Sequence, residues 1–146
     1  MRKITDQEER ENEYLRFIAP LKINPVKLKS LEESRDPNKK SDKEKILELM
    51  EYGLCYVNEE NKVVSVVFEP VEYGESKVSE LIFRGETPNV SDIEKFGVGR
   101  SDMEKTRRIF SFLVNGKFPS SIFSKMKSDD LNNFAQIAAF FLPQSD

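Results

Sequence analysis

The sequence predicts an α+β fold: a small antiparallel β-meander followed by a C-terminal helical group, with an N-terminal helical arm ahead of both. Three observations carry that expectation. Short apolar runs at 54–57, 63–68 and 78–84 alternate with turn-forming residues, as the strands of a meander require. From Pro88 onward a serine or proline stands before each helix-length segment, at Ser91, Ser101, Pro119 and Ser128. Ahead of both lies a charge-rich stretch about 40 residues long, set off from the rest by the polar run Arg35–Ser41. The division expected is therefore an arm over 1–40 and a single domain over 41–146, which suits a chain of 146 residues with one modest core.

Each element has its own reason. Thr5-Asp-Gln-Glu8 is a capping-box pattern that opens a helix over 5–18, and Pro20 stops it. Leu21 to Leu31 fits either an extended arm or a short helix capped by Asn24 with Pro25 at its first position. Ser41-Asp-Lys-Glu44 is a second capping box; Ile46, Leu47, Leu49 and Met50 follow on one side, and Gly53 ends the helix. Residues 54–57 pair with 63–68 across Asn58–Asn61. A longer link through Pro70 and Gly74 then leads to a strand over 78–84. Val78 is one step out of phase with Leu81 and Phe83, which fits either a bulge or partial burial of both faces. The helical group spans 91–142: one helix from Ser91 to near Gly97, one capped by Ser101, a short one after Pro119, and a last one capped by Ser128 and closed before Pro143.

Composition narrows the function. Hydrophobic residues make up 38% and charged residues 34%, with a net charge of −3, so no electrostatic excess points to nucleic acid or an anionic membrane. No apolar run reaches the roughly 18 residues that span a bilayer, and the N-terminus lacks a signal-peptide core. With one cysteine and no disulfide to form, a cytoplasmic location is expected. The chain has no histidine, which removes the commonest general base and metal ligand. The glycines form no phosphate loop; Gly97-Val-Gly99 lies between two helix signals. No catalysis, cofactor or metal is expected. Glu59-Glu60 falls in a turn and Asp129-Asp130 at a helix start, places that suit carboxylates without chemistry. Cys55, in a strand-like run without a basic neighbour, reads as a buried structural thiol.

Two surfaces merit weighing. Lys105, Arg107, Arg108, Lys117, Lys125 and Lys127 sit on or near helices within 102–127, an arrangement a small DNA-binding regulator could use. Interleaved acids and the negative total favour an ordinary solvated face instead. The terminal helix is sharper. Phe134, Ile137, Ala138, Phe141 and Leu142 follow a helical stripe, while Ala135, Ala139 and Phe140 cover much of the other side. Either this helix is buried all round or it offers a partner face. The partner face would comprise Phe110, Leu113, Phe134, Ile137, Phe140 and Phe141, with Phe140, off the stripe, turned to solvent.

From about Val63 to Ser145 the chain resembles the phage tail assembly chaperones of Mu-like contractile-tailed phages. The resemblance lies in the order of features. A hairpin, KVVSVVFEPVEYGESKVSELIFRGETP, precedes a short helix starting Val90-Ser-Asp-Ile-Glu94. A helix–loop–helix with Ser128-Asp-Asp-Leu131 leads to the terminal Ile137-Ala-Ala-Phe-Phe-Leu-Pro143. The resemblance implies a non-catalytic protein that binds the tape-measure protein and keeps it soluble during tail tube assembly, with tail tube subunits or further copies of itself as other partners. A tail or baseplate component of the same fold is the structural alternative. The resemblance does not account for the first 60 residues.

Overall fold

A computed structural model describes residues 3–85, 88–89, 91, 102–114 and 118–142. The protein is α+β. Helix α1 (Gln7–Ile18) runs through a 3-10 turn (Ala19–Leu21) into α2 (Pro25–Glu32) and α3 (Asp42–Glu51). A sheet of β1 (Cys55–Val57), β2 (Val63–Tyr73) and β3 (Ser76–Ile82) follows, then α4 (Asp102–Leu113), α5 (Ser121–Lys125) and α6 (Ser128–Ala138). The helix expected over 91–97 and the cap at Ser101 lie outside the described residues, apart from a helical Ser91.

The helix starts are set by short polar side chains. Asp6, not Thr5, caps α1: its carboxylate accepts from the Glu9 amide at 3.0 Å, one residue later than the capping-box pattern implied. Asn24 accepts from Val26 N at 2.8 Å with Pro25 behind it, so of the two readings of 21–31 the helix is the outcome. Ser41 accepts from Glu44 N at 3.1 Å, as expected. Gly53, at φ 75, turns the chain from α3 toward the sheet. Ser128 is the first residue of α6 rather than its cap, and no side chain caps that helix.

The sheet is antiparallel in the order β1-β2-β3, with Cys55 opposite Ser65 and Val64 opposite Ile82. The longer link expected through Pro70 and Gly74 is strand instead. Pro70 falls inside a register shift between Val66 and Val71, where the ladder needs no amide from it. Gly74, at φ 64, makes a two-residue hairpin turn between Tyr73 and Ser76. The same shift lets Val78 and Leu81, three apart, both be buried.

One core joins all parts of the fold, and the division at residue 40 has no counterpart in packing. Tyr14, Phe17, Leu21 and Leu31 lie in the same buried cluster as the strand valines and the phenylalanines of α4 to α6. Three polar ties fix the N-terminal helices. The Tyr14 hydroxyl donates to Glu32 at 2.7 Å. Buried Glu13 accepts from Val57 N at 3.2 Å and from Arg16 at 2.8 Å. Arg16 in turn donates to Asn58 O and Asn61 Oδ1 in the β1–β2 turn. At the other end, Lys27 donates to the carbonyls of Phe140 (3.2 Å) and Leu142, cations being favourable at helix C-termini. Burial lowers the Lys27 pKa from its ordinary value.

Cys55 is fully buried, and its pKa is pushed far up, first by burial and then by the nearby Glu13 carboxylate. The thiol thus stays protonated in the folded chain throughout the neutral range. Native protein at about pH 8 is expected to react with a thiol reagent only at the rate of unfolding, against an immediate reaction in denaturant. A fast native reaction, measured by absorbance, would show Cys55 to be accessible. Because its pKa is raised in the folded state, the neutral thiol's contribution to stability is full below the ordinary value of 9.0 and is lost as pH rises above it.

Candidate functional site

None of the six residues expected to form a partner face lies on the surface. Phe110, Leu113, Phe134, Ile137, Phe140 and Phe141 are all core residues, and Phe140 is 0% exposed. They form a stack of rings: Phe134 and Phe141 pack on Phe83 of the segment after β3 at 4.8 and 4.5 Å between centroids, and Phe110 meets Phe134 at 4.9 Å. The expectation for Phe140 fails for a geometric reason. Helix α6 ends at Ala138, and the next turn tightens: Phe140 N bonds Ile137 O and Phe141 N bonds Ala138 O. In such a turn residues i and i+3 eclipse one another, so Phe140 lines up with buried Ile137. There it meets Phe17 edge-on at 5.1 Å and Tyr14 at 6.2 Å, both from α1.

One layer out, the surface between α4, α5 and α6 is concave. Here a cleft of about 370 Å³ has Phe110, Phe123 and Met126 at its base, with Leu131 half-buried beside them. Its wall on α4 comprises Met103, Thr106 and Arg107, which with Phe110 make one helical face. Met103, at the N-terminal end of that face, is 66% exposed. Two of the chain's four methionines therefore border one cleft. Their unbranched, polarizable side chains adapt to differently shaped partners. Of the six predicted residues, only Phe110 reaches it.

A second groove, about 490 Å³, lies between Tyr52, Leu54, Phe68 and the start of α6. Asp130 builds it. This carboxylate is 3% exposed and accepts from two consecutive amides of the β2 bulge, Phe68 N at 2.9 Å and Glu69 N at 3.1 Å. The clamp turns the bulge outward and leaves Phe68 itself 66% exposed. Sequence reasoning placed Asp130 at a helix start, which is right, but read its carboxylate as serving the helix. The proline-bearing β2 segment, with amides freed from the ladder, is the only sequence signal that such a partner was needed.

The basic residues near 102–127 are dispersed. Arg108 pairs with Glu104 at 2.8 Å on the flank of α4 away from Met103, and Lys127 approaches Glu69 at 3.8 Å. Helix α5 has only five residues, too short to lie along a major groove as a recognition helix. Among the described residues, no group of three or more acidic, cysteine or histidine side chains could hold a metal, and no helix is long and apolar enough to cross a membrane. Comparison with protein-family models, curated proteins and solved structures finds no match to this chain.

Proposed function

We propose that this chain is a phage or prophage tail assembly chaperone. It works without catalysis in the host cytoplasm and holds the tape-measure protein soluble while tail tube subunits assemble around it. The resemblance in sequence from Val63 onward motivates the reading. The observation that carries it is the cleft between α4, α5 and α6: a methionine two-thirds exposed above a base of two phenylalanines and a second methionine. Such a cleft fits the apolar face of a helix from a long helical client.

Co-expression with the tape-measure protein of the same phage or prophage tests it. The client's soluble fraction should rise severalfold with the native chain and fall back to that of the client alone with Met103→Ser. Because Met103 is exposed, this variant should melt within about 2 °C of the native chain. A client that stays soluble beside Met103→Ser would remove the cleft from the reading, and a client equally insoluble with the native chain would remove the function.

A further inference from the structure

Among the described residues one sulfur is open to solvent, and it stands at the lip of the cleft. Sulfur occurs in Met50, Cys55, Met103 and Met126. Met50 and Cys55 have no exposed surface, and Met126 keeps 9%. Met103 is 66% exposed and lines the cleft between α4, α5 and α6. The other apolar lining residues are Phe110, Phe123 and Met126, all buried, and the half-buried Leu131. Met103 is therefore the most exposed apolar side chain that an incoming helix can touch there. Two properties fall on one residue: it is the thioether a dissolved oxidant meets first, and it is the outermost apolar contact of the cleft.

We infer that Met103 is a site of reversible oxidation by peroxide, and that its sulfoxide closes the cleft to an apolar helix. This rests on the chaperone reading and names a regulation of its site. In the oxidation, a lone pair of the Met103 sulfur attacks one peroxide oxygen. The S–O bond forms as the O–O bond breaks, so the sulfur is oxidised and the peroxide reduced. The transferred oxygen gives its proton to the departing hydroxide, which leaves as water. A dithiol reverses the step: it carries the oxygen off as water and becomes a disulfide, the reaction that methionine sulfoxide reductases catalyse. Oxidation changes the character of the side chain far more than its length. The sulfoxide oxygen is a hydrogen-bond acceptor, and a leucine anchor laid over it would strip away its water and return no donor. Met50 and Cys55 lie in the core, out of a peroxide's reach while the fold holds. Among the described sulfurs the modification is thus confined to the cleft.

The full chain, treated with hydrogen peroxide, digested and read by mass spectrometry, should gain oxygen on Met103 at least about tenfold faster than on Met50 or Met126. The binding probe is a synthetic amphipathic helix of about 18 residues with leucine anchors and no methionine of its own. By fluorescence anisotropy, the oxidised chain should bind it about tenfold more weakly than the reduced chain. Methionine sulfoxide reductases with a dithiol should restore the affinity. Whatever affinity Met103→Leu shows, peroxide should leave it where it was, because leucine has no sulfur to oxidise. The oxidised chain should melt within about 2 °C of the reduced one, since Met103 lies outside the core. Oxygen added as fast to Met50 or Met126, equal affinity before and after oxidation, an equal loss in Met103→Leu, or a large fall in melting temperature overturns the inference. Client retention separates the two levels. If the reduced and the oxidised chain retain the client equally, the chaperone reading stands and the switch falls. If the reduced chain retains neither client nor peptide, both fall.

Discussion

Replacing Phe140 with alanine is expected to unfold the domain as severely as replacing Phe141, each costing about 3–5 kcal/mol. Both rings are essentially without solvent contact and both meet Phe17; Phe140 also packs on Tyr14, and Phe141 stacks on Phe83. Deleting either leaves a cavity that the surrounding rings cannot fill without leaving their own contacts. For a chain of this size the loss corresponds to a fall in melting temperature on the order of 10 °C. Thermal denaturation followed by circular dichroism measures it. A Phe140→Ala variant melting within about 2 °C of the native chain would mean that this ring faces solvent and that the tight turn after Ala138 is not the stable geometry.

The second large effect belongs to Asp130. With alanine in its place, two consecutive amides of the β2 bulge lose their acceptor, and α6 loses its polar tie to the sheet. Hydrogen bonds to a charged group contribute more than neutral ones, so a loss of about 2–4 kcal/mol is expected. Asp130→Asn keeps one acceptor oxygen and should lose roughly half as much. The local readout is amide exchange at Phe68 and Glu69, which should quicken far more than exchange in α1. Uniform quickening across the whole chain would show that the carboxylate supports only global stability. Unchanged exchange at those two amides would show that it is not their acceptor.

What could be read in the sequence, and what could not, divides by the range of the interaction. Helix starts at Asn24 and Ser41 were legible because each cap acts within three residues of itself. The meander was legible because its turns carry Asn58, Asn61 and Gly74. Pro70 misled: a proline normally ends a ladder strand, and only the bulge, held by a carboxylate 61 residues away, lets β2 continue past it. Phe140 reads as outward because spacing places it off the stripe of the last helix, yet Tyr14 and Phe17 of α1 are the rings that cover it. The apolar surplus of the last helix, which fits either all-round burial or a partner face, is covered by the chain's own first helix. Met103, the exposed residue that borders the cleft, cannot be told from a core residue by sequence, because spacing alone gives a residue's face and not what lies opposite.

The bonds from Lys27 to the carbonyls of Phe140 and Leu142 close loops of 113 and 115 residues. A core sealed in this way cannot be assembled in the order in which the chain is made. Until residues 134–141 have been made, Tyr14 and Phe17 lack the Phe140 ring, and Phe83 lacks the rings of Phe134 and Phe141. This part of the core therefore closes late, in a step that brings residues 14–27 against residues 134–142. Its contacts of longest sequence separation are also those whose loop closure costs the most entropy, so they should form slowly. Until that step the chain passes through its own interval of exposed aromatic surface.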